Sequence, residues 1–126
     1  MSKIAIIDDD PDIVEATTIL LESKGYSVLS AGNTKEALEL VFNEKPDLII
    51  LDVMLQEPDD GFYLANKFRQ KGLKTPIIML TSVSKALGME FGKNDKMPVD
   101  DFIEKPVSPA LFLEKINQFL KKSGGA

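Results

Sequence analysis

The stretch IAIIDDDPD, residues 4–12, sets four apolar residues directly against three consecutive carboxylates. Its apolar half lacks the polar alternation of a half-exposed strand, which suits a parallel strand covered on both faces. The run is short and rich in isoleucine, so strand is favoured over helix. With Lys3 the run reads KIAIID (3–8), and the same pattern recurs in DLIILD (47–52) and PIIMLT (76–81). Weaker strands are expected at YSVLSA (26–31) and VDDFIEK (99–105), with helical patterns between the five. In the first helix Ile13, Thr17, Leu20 and Leu21 share a stripe, Asp10 and Pro11 supply an N-cap and a first-turn proline, and Gly25 ends it. In the last helix Phe112, Ile116, Phe119 and Leu120 fall at helical spacing before a terminal Lys pair that suits the macrodipole. Five βα units in succession imply right-handed crossovers and a doubly wound α/β sandwich with a parallel sheet between helix layers.

Composition narrows what such a sandwich can do. The chain has 126 residues, enough for one domain, with 44% hydrophobic and 28% charged residues. Its formal charge of -5 argues against tracking a phosphate backbone, so no direct nucleic-acid contact is expected. There is no Cys and no His. That removes thiolate chemistry, sulfur-ligated metals and any imidazole base, and phosphohistidine chemistry must come from another chain. The apolar run at the amino terminus is too short for a signal peptide, and no stretch approaches membrane-spanning length. Residence in the cytoplasm without membrane insertion is the expectation.

Polar residues collect where doubly wound folds keep their sites. Asp8, Asp9, Asp52, Thr81 and Lys105 each fall at the carboxyl end of an expected strand, the edge that forms the binding crevice. Acids from two strand ends repel one another unless they share a hard divalent cation, which needs oxygen ligands. Magnesium, or another divalent such as manganese, fits that role. Asp10 is assigned instead to capping the first helix.

With these residues in place, the chain from about Lys3 to Lys122 resembles the receiver domain of two-component response regulators. The resemblance implies a flavodoxin-like (βα)5 three-layer sandwich whose five-stranded sheet has the order 2-1-3-4-5. It implies the acidic pair in Asp8 and Asp9, the phosphoacceptor in Asp52 of LIILDVML, the hydroxyl in Thr81 of MLTS and the phosphate-binding lysine in Lys105 of EKP. Phe102 resembles the aromatic switch residue, and the Lys105 to Pro106 bond the family's cis peptide. Asp9, Asp52 and the backbone carbonyl of Met54 would hold the cation, with Asp8 acting through water. Met54 and Val83 offer no polar side chain to orient a hydrolytic water, so slow self-dephosphorylation is expected.

Two segments depart from the family pattern. The loop VMLQEPDDGF (53–62) has Gln56 at the usual proline place and one extra residue before Gly61. Residues 83–98 contain Gly88, Gly92 and Pro98 and no clear helical stripe, so a short or irregular helix is expected there. The domain is expected to span residues 1–122, with a flexible tail at 123–126. The resemblance implies a stand-alone, phosphorylation-controlled binding module, not an enzyme acting on other substrates. Its partners would be a histidine kinase or phosphotransfer protein upstream and another protein downstream. Two other classes are weaker. A haloacid-dehalogenase-like phosphatase would want an acid two residues after Asp52, where Met54 stands, and a flavodoxin-like FMN carrier would want a hydroxyl- or glycine-rich phosphate loop where the acids are.

Overall fold

A computed structural model of the chain describes residues 2–52, 60–82, 101–105 and 108–123. Five parallel strands, β1 (Lys3–Ile7), β2 (Ser27–Ala31), β3 (Leu48–Asp52), β4 (Ile77–Ser82) and β5 (Asp101–Lys105), form one sheet in the order β2-β1-β3-β4-β5. Helices α1 (Pro11–Glu22), α2 (Thr34–Glu44), α3 (Asp60–Gln70) and α4 (Pro109–Ser123) cover it. This is the expected doubly wound order. Met54, the loop at 53–59, the helix expected within 83–98, Pro106 and residues 124–126 of the expected tail lie outside the described residues, while Ser123, expected to begin that tail, is the last residue of α4.

The apolar runs work because strand side chains alternate between faces. Ala5 and Ile7 of β1, Ile49 and Leu51 of β3, and Ile77 and Met79 of β4 pack beneath α2 and α3 with Val41, Leu64 and Phe68. Ile4 and Ile6, Leu48 and Ile50, and Ile78 and Leu80 face the other layer, with Leu21 of α1 and Phe112, Ile116 and Leu120 of α4. The α4 stripe is as expected. In α1, Leu21 is buried there and the half-buried Val14 and Leu20 pack against it, whereas the expected Ile13, equally half-buried, is not part of this layer. Counting back from Leu21 by helical turns leads to Val14, and Ile13 lies a further 100° round.

Helix ends follow local chemistry. Asp10 caps α1, its side chain accepting from the Asp12 N–H, and Pro11 occupies the first turn. After α1, Gly25 takes a left-handed φ of 91°, and the Tyr26 N–H closes the turn on the Leu21 carbonyl at 3.2 Å. Asn33 caps α2 by accepting from the Glu36 N–H at 2.8 Å, and Glu36 reaches back to the Gly32 N–H. At its other end Lys45 adopts φ 51° and Pro46 blocks continuation. Arg69 ties the end of α3 to the approach to β4, donating to the Leu73 and Thr75 carbonyls at 2.9 Å each. At the amino end of the sheet, Lys3 and Asp47 exchange bonds, Lys3 N–H to Asp47 Oδ2 at 2.8 Å and Asp47 N–H to the Lys3 carbonyl at 2.7 Å. That clip sets the register of β3 against β1.

Candidate functional site

Register and alternation together explain why the acids meet. Ile7 of β1 stands opposite Leu51 of β3, so the next step along each strand brings Asp8 beside Asp52. Both follow residues on the α2 and α3 face, so both fall on the α1 and α4 side at the carboxyl edge. The Asp8 N–H still donates to the Ala31 carbonyl at 3.1 Å, which extends the β1 to β2 ladder by one residue and fixes the backbone beneath the acid. Asp8 and Asp52 are 3% and 6% exposed, whereas Asp9 is open to solvent.

One carboxylate oxygen from each of Asp8, Asp9 and Asp52 lies within 4.8 Å of the others. Burying two acids this close to a third is unfavourable unless positive charge sits among them. The donor set is all oxygen, with two buried members and one reaching in from solvent, and it fits a small hard divalent cation. Asp10 stands apart, its carboxylate engaged with the Asp12 N–H at 2.9 Å. Its own N–H donates to Asp8 Oδ1 at 3.0 Å. That second link is absent from the sequence reading, although alternating Asp at 8, 10 and 12 is the pattern that permits such turns.

The other expected site residues occupy the neighbouring strand ends. Asp52 pairs in register with Leu80, so Thr81 is the next residue of β4 at the same edge. Lys105 is the last residue of β5 and pairs with Ser82. Phe102 lies deeper in β5, opposite Met79 of β4. Four adjacent strands therefore present Asp8 with Asp9, Asp52, Thr81 and Lys105 along one edge. β1 and β3 are neighbours in the sheet, yet the chain visits β2 between them. Its connections leave on opposite sides at this point, which opens the crevice.

A parallel sheet with acids at its switch point, followed by a hydroxyl and a lysine on the next strand ends, defines the signalling domains that take a phosphoryl group on a carboxylate. The chain belongs to the response regulator receiver domain family, which matches residues 4–117. It is 39% identical over 125 residues to the alkaline phosphatase synthesis transcriptional regulatory protein PhoP of Bacillus subtilis, covering 96% of this chain and 49% of that one. It is 37% identical over 127 residues to the phosphate regulon transcriptional regulatory protein PhoB of Pseudomonas aeruginosa, covering 96% and 52%. The chain thus spans about half the length of these curated relatives. Among solved structures, the BeF3-activated N-terminal receiver domain of RstA from Klebsiella pneumoniae superposes with a TM-score of 0.79 at 30% identity, covering 94% of this chain and 98% of that one. The protein is a phosphorylatable signalling module of a two-component system. Among the described residues, no helix is long and apolar enough to cross a membrane.

Proposed function

We propose that Asp52 is the phosphoacceptor and that Asp9, Asp52 and the Met54 carbonyl would hold magnesium, with Asp8 acting through water. The observation that carries this is the convergence of three carboxylates, two of them buried, at the switch point of the sheet. A carboxylate oxygen of Asp52 attacks phosphorus in line, the phosphorus to nitrogen bond of a phosphohistidine breaks, and the nitrogen departs with its electron pair as imidazole. When bound, the cation supplies charge neutralisation for the phosphoryl oxygens. Asp9, the exposed member, admits it from solvent. Lys105 and Thr81 are assigned the remaining phosphoryl oxygens, as ammonium and hydroxyl donors. Phe102 is assigned the switch that follows phosphorylation.

The donor is a histidine kinase or phosphotransfer protein, and the recipient of the signal is another protein surface. The only reactions assigned to the domain are its own phosphorylation and dephosphorylation, in the cytoplasm, without direct contact to nucleic acid. Residues 1–122 form the domain, followed by a short tail. Incubation with acetyl phosphate and magnesium should add one phosphoryl group, seen as a single increment in intact mass. Asp52→Asn should remain unlabelled, and labelling equal to the parent would assign the nucleophile elsewhere.

A further inference from the structure

Asp8, Asp10 and Asp12 alternate along the chain, and the first two carboxylates each accept from the amide two residues on. Two Asx turns therefore overlap at Asp10. Helix α1 secures the second turn, because the Val14 N–H donates to the Asp10 carbonyl at 3.1 Å. Asp10 itself is extended, at φ -93° and ψ 108°, and its amide points back to Asp8 rather than into the helix ladder.

We propose that Asp10 is a positioning residue of the cation site. Its carboxylate fixes the turn from which its own amide holds the Asp8 side chain toward Asp9 and Asp52. The inference rests on reading Asp8, Asp9 and Asp52 as that site. A carboxylate that must be ordered at the moment of binding weakens affinity by the rotamer freedom it loses, whereas one already held by an amide does not. Asp8 is buried and held in this way before any cation arrives. The chemistry of Asp10 is therefore that of a hydrogen-bond acceptor, and its negative charge is incidental.

Magnesium affinity of the full chain, measured by isothermal titration calorimetry, separates these roles. Asp10→Ala should bind about tenfold more weakly, the low end of what outer-shell partners are worth. Asp10→Asn keeps an equivalent cap acceptor and should stay within about twofold of the parent. Tyr26→Phe, which removes a hydrogen bond to Asn117 near the start of β2, should match the parent and so controls for general loss of stability. In the metal-free protein, hydrogen exchange at the residue 10 amide should be faster in Asp10→Ala than in the parent. Should Asp10→Ala fail to fold, Asp10→Gly removes the acceptor at a cap position that tolerates glycine. Parent-like affinity in the Ala or Gly variant overturns the proposal, as does an Asn variant weakened as much as Ala, which assigns the effect to charge. If Asp9→Asn also binds as the parent does, the cation-site reading fails with it.

Discussion

Replacing Asp52 by Asn should stabilise the metal-free protein while abolishing its phosphorylation. The side chain keeps its shape, but one of three clustered charges disappears. Two like charges at 4.8 Å, the upper limit of the separations in the cluster, repel by about 3.5 kcal/mol at an effective dielectric of about 20. Spreading of each charge over two oxygens, salt, and the exposure of Asp9 reduce the net gain to about 1 to 3 kcal/mol. For a chain of this length each kcal/mol moves the melting point by about 4 °C, so Asp52→Asn should melt about 4 to 12 °C above the parent in EDTA. Circular dichroism melts in EDTA and in excess magnesium give the comparison. Magnesium should raise the parent's Tm by mass action, about 2.7 kcal/mol at a hundredfold excess over Kd, and raise that of Asp52→Asn by less. A variant that melts below the parent in EDTA, or a parent indifferent to magnesium, would refute the account of the cluster as a strained, cation-seeking site.

Three further outcomes are expected. Lys45→Gly should raise the urea midpoint by an amount equivalent to about 1 kcal/mol, because Lys45 holds φ 51° at the end of α2 where glycine is not penalised, and a lower midpoint would count against that conformation. Phe68→Ala should cost about 3 to 5 kcal/mol in the same assay, since Phe68 is fully buried and meets Phe42 edge to face at 5.9 Å; a loss below about 1 kcal/mol would contradict a tightly packed layer beneath α3. Met54→Asn should shorten the lifetime of the phosphorylated protein by offering a polar group to orient water, followed as decay of the mass increment, and an unchanged or longer lifetime would reject the idea.

Much of the fold is legible because the apolar runs are unusually plain. IAII, LIIL and IIML carry no polar interruption, and only a strand covered on both faces accommodates that. The site is legible for a related reason: in a parallel sheet every strand delivers its carboxyl end to one edge, so Asp8, Asp9, Asp52, Thr81 and Lys105 are brought together by topology before any contact is known. What the residues do not reveal is phase and hydrogen bonding. Ile13 and Val14 are equally apolar, and only the helix's rotation relative to the sheet decides that Val14 faces the core. The left-handed Lys45 gives no signal because lysine is not a residue that favours this conformation, although the following proline marks the end of the helix. The bond from the Asp10 amide to Asp8 depends on a backbone turn that several acidic sequences could equally avoid.

The path of the chain through the sheet also has a consequence for how the molecule assembles. β1 and β2 are joined through α1 and can pair as soon as residues 3–31 exist, but the opposite edge of β1 waits for β3. During synthesis Asp8 and Asp9 therefore emerge well before Asp52, and the three carboxylates come into conflict only when this long-range pairing closes. Divalent cations should leave the early parallel pairing of β1 with β2 untouched and favour the species in which β3 has docked. A nascent or fragmented chain ending before residue 48 would carry two of the three acids and none of their mutual strain, so the cation reports on the completed centre of the sheet and on no single segment of it.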